Sequence, residues 1–197
     1  MRAMKLLLFF LAAIVCMLAC ASTAKKDKQK DMQYVDITDN SEFVLLPTEG
    51  IEHDMDMAQF LSYEFRGQNY FLNAWVKANK NEIEMAFFNE MGLSVGELFY
   101  RNGEVNFSSA VFSKSVIQYI KPEYIIADFQ LCFYDPFLLN EALKENGLVL
   151  ETQGGNRRIL NGNEAIIEIE KTENAVKLVN HLRGYAYTLE GDFHEDK

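Results

Sequence analysis

Positive charge is scarce in this chain. Its 197 residues hold 19 Lys and Arg against 29 Asp and Glu, a formal net charge of −10 at pH 7. So acidic a surface repels phosphate backbones, and no basic stripe offsets it, which excludes nucleic acid as a partner. The same balance argues against electrostatic adsorption to anionic lipid headgroups. Any membrane attachment has to come from elsewhere. Cysteine is scarcer still: Cys16 and Cys20 lie at the amino terminus, and Cys132 is the single thiol left for the body of the chain. No disulfide framework can be built from it. Catalytic signatures are missing as well, since no G-x-S-x-G, H-E-x-x-H or C-x-x-C occurs. The segment His53-Asp54-Met55-Asp56 sets a histidine beside two carboxylates. No second cluster of ligands accompanies it, and it reads as a solvated loop before a strand. His181 falls on a predicted strand as a structural histidine, and His194 lies in a charged tail. The chain therefore reads as a non-enzyme, with no catalytic residue, metal or other cofactor assigned.

No apolar run reaches the roughly 18 residues that call for a spanning helix. The longest, residues 6–19, follows Arg2 and Lys5 and stops at Cys20. A charged start, an apolar stretch of this length and small residues at the exit make 1–19 a signal peptide. Met17-Leu18-Ala19-Cys20 resembles the bacterial lipoprotein signal, in which the cysteine becomes the lipidated first residue. Met17 departs from it, standing where leucine is usual. The alternative is ordinary cleavage near Ala21 or Ala24, with Cys20 discarded. Residues 20–40 lack apolar periodicity and read as a flexible tether spanning about 25 Å. Under the lipoprotein reading, Ala21 after the cysteine is compatible with delivery to the outer membrane.

Residues 57–65, 70–78 and 82–88 alternate in strand fashion at close spacing, which predicts an antiparallel meander. Both faces carry large side chains, with Phe71 and Trp75 opposed to Tyr70, Leu72 and Val76. Both faces are therefore expected to be covered, one by a helix and the other by a ligand or further protein. Asn102-Gly103 predicts a tight hairpin between 92–100 and 104–107. Residues 108–120 are ambiguous and turn helical towards 114–120. From 119 to 139 the only plainly polar side chains are Lys121, Glu123, Asp128, Gln130 and Asp135. Pro122 suits the first turn of a helix, and Asp135-Pro136 breaks it and starts another that Gly147 ends. A segment apolar on nearly every side must be buried on nearly every side, as a helical plug. The tail returns to strands over 148–152, 157–160, 164–170, 176–182 and 185–189. Gly154-Gly155 is a hairpin rather than a phosphate loop, because no helix start follows it. The fold class is α+β: a curved antiparallel sheet of about nine to eleven strands, an incomplete β-barrel, wrapped over the plug. One such domain spans 41–190, and 191–197 form a disordered tail.

Cys132, inside the plug, reads as a small buried hydrophobe. Two readings of Asp128 stand. Buried, it needs a partner or a raised pKa, with Arg157 or Arg158 to supply the charge; at the rim, it points to water.

Ala74-Trp75-Val76-Lys77-Ala78, Met91-Gly92, the run Tyr124-Ile125-Ile126-Ala127-Asp128-Phe129-Gln130-Leu131, Arg157-Arg158 and Gly184-Tyr185 carry a resemblance. Over about 59–189 the chain resembles a family of bacterial lipoproteins, domain of unknown function 3261, often encoded beside aryl-polyene biosynthetic genes. That family is similar in layout to the outer-membrane lipoprotein receptor and its periplasmic carrier, half-barrels over helices with an apolar cavity for acyl chains. The resemblance implies a binding or transfer protein for a lipid, a lipoprotein acyl chain or a polyene-lipid at the periplasmic face of the outer membrane. Its membrane contact would be a lipid on Cys20, and its protein partners envelope carriers or exporters. Tyr63, Phe71, Trp75, Phe87, Phe129 and Phe133 are the candidate cavity residues. Their rings fit an apolar pocket and would equally fit a dense core. From another class, the alternative is a non-catalytic scaffold lipoprotein that recruits envelope biosynthesis or export partners.

Overall fold

The computed structural model describes residues 33–65, 67–112, 121–191 and 193. The signal peptide, Cys20, the helix expected over 114–120 and His194 lie outside them. The chain opens with two short strands, β1 (Tyr34–Asp36) and β2 (Glu42–Val44), and a single 3-10 turn, Thr48–Gly50. A meander follows: β3 (Met55–Phe65), β4 (Gln68–Asn79), β5 (Glu82–Phe88), β6 (Ser94–Arg101) and β7 (Glu104–Ser108). Two helices come next, α1 (Pro122–Phe133) and α2 (Pro136–Lys144). The second meander is β8 (Leu148–Gln153), β9 (Asn156–Asn161), β10 (Glu164–Lys171), β11 (Ala175–Asn180) and β12 (Tyr185–Glu190).

Ten of these strands form one antiparallel sheet in the order β7-β6-β5-β4-β3-β12-β11-β10-β9-β8, and β1 pairs with β2 apart from it. The expected α+β class and large antiparallel sheet are what is found. The two meanders join where β12 lies against β3, Tyr187 opposite Tyr63 and Leu189 opposite Leu61. Their outer ends, β7 and β8, are the sheet's two edges. The chain leaves the sheet at one edge and re-enters at the other, so the helical segment between them has to traverse a face. Local chemistry supports the tight turns: Asn102 (φ 53°) and Gly103 (φ 82°) both take the left-handed conformation that a two-residue hairpin needs.

Helix α1 begins at Pro122 and buries Ile126, Ala127, Phe129, Gln130, Leu131, Cys132 and Phe133. At Tyr134 the chain stops being helical and pairs instead with Ile51, and the Asp135 N–H donates to the Gly50 carbonyl at 3.0 Å. The Asp135 carboxylate then caps α2, accepting from the N–H groups of Phe137 (2.9 Å) and Leu138 (3.0 Å). Gly50 permits this crossing, since a Cβ there would stand 2.7 Å from the Tyr134 ring.

One polar side chain orients the apolar helix. Gln130 is fully buried and treats Leu46 as a neighbouring strand would. Its Oε1 accepts the Leu46 N–H at 2.9 Å, and its Nε2 donates to the Leu46 carbonyl at 2.8 Å and to the Tyr134 hydroxyl at 3.2 Å. Tyr100 of β6 donates to the same carbonyl at 2.8 Å.

Two expectations need correction. The tether ends earlier than residue 40: Tyr34–Asp36 is a strand, and Val35, Ile37 and Thr38 are buried. Val35 and Ile37 sit two apart, the strand period, but a three-residue strand is too short to stand out among polar neighbours. At the other end, residue 193 belongs to the fold rather than to a disordered tail. The Phe193 N–H donates to the Glu173 carbonyl at 3.2 Å, and its ring stacks on Phe133 at 5.9 Å. On the second face of β3 and β4 this chain's own described residues leave Phe60 and Phe71 exposed, stacked at 5.8 Å.

Replacing Gln130 by Leu should strand the Leu46 N–H and cost about 1–3 kcal/mol. A urea titration should show a lower midpoint with an unchanged slope.

Candidate functional site

Strand alternation sends every second residue of β3, β4 and β5 to the face that α1 covers. One cross-strand row on that face reads Gln59, Ala74, Phe87, Gly96. Ala74 leaves space under the helix that a larger side chain would occupy, while the Phe107 ring fills the space over Gly96, where a Cβ would stand 2.6 Å from it. In the next row, Met57, Val76, Met85, Leu98, the side chains are larger, and Val76 and Met85 close the inner end of the space. Between the small row and α1 lies a cavity of about 570 Å³.

Its walls are Leu61 and Tyr63 of β3, Tyr70 and Leu72 of β4, Phe107 of β7, and Tyr185, Tyr187 and Leu189 of β12. Helix α1 closes it with Tyr124, Ile125, Asp128 and Phe129, which share one helical face. Exposure along β4 shows which end is open. Tyr70 is 48% exposed, Leu72 half-buried, and Ala74 and Val76 only 4% exposed. The mouth therefore lies near Tyr70, and Gln59 sits at the closed end opposite Ala74.

Two cations mark the mouth. Lys121 and Arg183 are exposed and approach the Tyr124 ring, the ammonium at 5.4 Å and the guanidinium at 4.8 Å from its centroid. Arg183 also donates to the Asp36 carbonyl, and Tyr124 donates to the Asp36 carboxylate at 3.3 Å. The β1–β2 hairpin thus braces the rim. Just inside it, the Tyr185 hydroxyl donates to Asp128, 2.8 and 3.0 Å from its two carboxyl oxygens. Burial pushes the Asp128 carboxyl up to about 7, against the lowering effects of that hydrogen bond and the Arg183 charge. Tyr63 is raised by burial and by the charge on Asp128.

Three of the six candidate aromatics line the cavity: Tyr63, Phe87 and Phe129. Phe71 and Trp75 do not, because the opposite parity of β4 faces α1. Phe71 pairs with Ser62 on the outer face, where Trp75 gives its indole N–H to Asp56 at 3.0 Å. Phe133 is buried beneath the helix, 4.9 Å from the Phe129 ring, without reaching the cavity. The proposed charge partners of Asp128 lie elsewhere. Arg157 is buried and donates to the Leu131 carbonyl at 2.9 Å, with Glu52 at 3.6 Å. Arg158, one residue on, faces outward to Glu151 and Glu168, each at 3.3 Å. Tyr185, which does meet Asp128, and Arg183, whose charge acts on it, lie beyond the reach of local spacing, on and beside β12.

Cys132 is buried with its Sγ 3.7 Å from the Tyr187 hydroxyl, and burial pushes the thiol up to about 12, which leaves it protonated and inert. His181 sits just past β11 rather than on it, exposed, its Nε2 2.7 Å from the Glu168 carboxylate. Among the described residues no three His, Cys, Asp or Glu side chains are grouped to hold a metal ion, and no helix is long and apolar enough to cross a membrane. Gln59 was not singled out from the sequence, although a lone amide between Met57 and Leu61 on an apolar face was its visible signal.

The Asp128 carboxyl binds its proton more tightly in the folded chain than in the unfolded one. That contribution is fully present below pH 3.8 and is lost as pH rises through about 7. Thermal melts across this window should fall for the wild type and fall less steeply for Asp128→Asn.

Comparison with curated proteins finds no match. The family described as protein of unknown function (DUF3261) matches residues 56–191, from the start of β3 to just past β12. That span takes in all of the ten-stranded sheet but Met55, both helices and every wall of the cavity, and the chain belongs to this family.

Proposed function

We propose that this chain is a lipid-anchored binding or transfer protein for a lipid, a lipoprotein acyl chain or a polyene-lipid, working without catalysis at the periplasmic face of the outer membrane. The observation that supports it is the apolar cavity, open at one end and rimmed there by Lys121 and Arg183. Its volume, about 570 Å³, lies in the range of about 300–1,000 Å³ typical of small-molecule sites. An apolar chain would lie between α1 and the small-residue row, with an anionic or polar headgroup at the two cations. On this reading the sheet is an incomplete barrel curled around α1, as in the lipoprotein receptor and carrier that the sequence resembles. The anchor rests on the amino terminus: an apolar run too short to span a bilayer, ending at Cys20. With a lipid there, the remaining residues before β1 would hold the mouth near a membrane, where envelope carriers or exporters could exchange cargo.

A second reading, a scaffold that recruits partner proteins, draws on the exposed Phe60–Phe71 stack on the open face of the sheet. Purification from the native host followed by lipid extraction and native mass spectrometry separates the two. The carrier reading expects an amphiphile bound to the wild type and lost from Leu72→Trp or Ala74→Trp, with circular dichroism unchanged. A wild-type protein that carries no such molecule and binds no fatty acid, yet retains a protein partner lost on Phe60→Ser, would favour the scaffold. The anchor has its own check. Labelled palmitate should enter the wild type and not Cys20→Ser.

A further inference from the structure

The closed end of the cavity contains an anomaly. Gln59 is 4% exposed, yet neither its Oε1 nor its Nε2 has a hydrogen-bond partner, and no other buried side chain among the described residues is left so. The fully buried Gln130 makes three such bonds, and the buried Asn180 gives its amide to Tyr185 and accepts from the Arg183 N–H. A buried amide with nothing to bond weakens a fold, and leucine in its place would serve packing better. Gln59 therefore has no structural reason to be an amide.

Its position supplies one. Gln59 faces the cavity beside Ala74, and on its other side stands Gly191, where even a Cβ would lie 3.4 Å from the Gln59 Cγ. Between these small neighbours Gln59 forms part of the cavity wall, with its amide atoms buried. A buried water needs about two to four polar partners. The residues around this end, Leu61, Ala74, Val76 and Phe87, offer none from their side chains. Tyr63, at the mouth, lies on the same face of β3 four residues along, a separation of about 13 Å.

We propose that Gln59 recognises the inner tip of the cargo, and that the cargo is an apolar chain ending in a neutral group able both to donate and to accept, a hydroxyl or a primary amide. The inference rests on the carrier reading and adds its specificity. Such a molecule carries a polar head at Lys121 and Arg183, hydrocarbon over the intervening distance, and a hydrogen-bonding tip against Gln59. A charged tip is disfavoured, because a neutral amide cannot compensate a charge in an apolar pocket. A plain hydrocarbon end would fit the space and leave the amide unmet.

The test compares dodecanoic acid with ω-hydroxydodecanoic acid on the wild type and on Gln59→Leu, by calorimetry. The hydroxylated acid should bind the wild type about tenfold more tightly, the size of one or two net hydrogen bonds. Gln59→Leu should lose that preference while binding dodecanoic acid undiminished, and should melt at a higher temperature than the wild type without ligand. Equal affinities in the wild type, or a preference that survives in Gln59→Leu, would overturn the proposal and leave the carrier reading standing. Binding of neither acid to either protein would remove both.

Discussion

A helix that is apolar all round gains nothing by burial from one rotation over another, so something polar has to set it. In α1 that is Gln130, whose amide mates with both backbone groups of Leu46 as an adjacent strand would. Leu46 is itself held by the Tyr100 hydroxyl from β6. Arg157 adds a second tie by donating to the Leu131 carbonyl, and the Ile51–Tyr134 bridge a third. All three act on the carboxy-terminal half of the helix. The amino-terminal half, with Tyr124, Ile125 and Asp128, is left facing open space. The cavity lies where the helix, fastened through Gln130, Leu131 and Tyr134, presents Tyr124, Ile125, Asp128 and Phe129 to open space.

The two buried glutamines make the division plain. Gln130 is worth having because every one of its bonds is made, and in a low-dielectric interior each unmade bond costs more than it would at the surface. Gln59 faces the same costs with none of the compensation. A side chain of that kind is a poor choice for stability and a natural one for recognition. At the mouth the logic differs. Burial weakens the charge on Asp128, although the Tyr185 hydrogen bond and the Arg183 charge favour it, and Lys121 and Arg183 are the exposed charges presented to an incoming headgroup.

The β1–β2 hairpin ties these features together. It precedes the span that matches the family, yet Asp36 bonds both Arg183 and Tyr124 at the rim. The shape of the opening thus depends on Asp36, in a stretch whose composition reads as linker.

The ten strands of the large sheet, the hairpin turns and the two helix starts were legible in the chain alone, because period-two alternation, Asn-Gly, and Pro at a first helical turn are local physics. So was the burial of α1, which follows from having almost no polar side chains. Which face of β4 meets the helix was not, since Phe71 and Trp75 alternate as well with Ser62 and Ala58 as Leu72 and Ala74 do with Leu61 and Gln59. Both parities are apolar, and only the packing of α1 chooses between them. The partner of Asp128 was equally out of reach. Tyr185 lies 57 residues away, brought beside α1 by the pairing of β12 with β3, a long-range contact that no local pattern encodes. Local sequence set the elements, and the route of the chain from one sheet edge to the other decided which of their faces enclose the cavity.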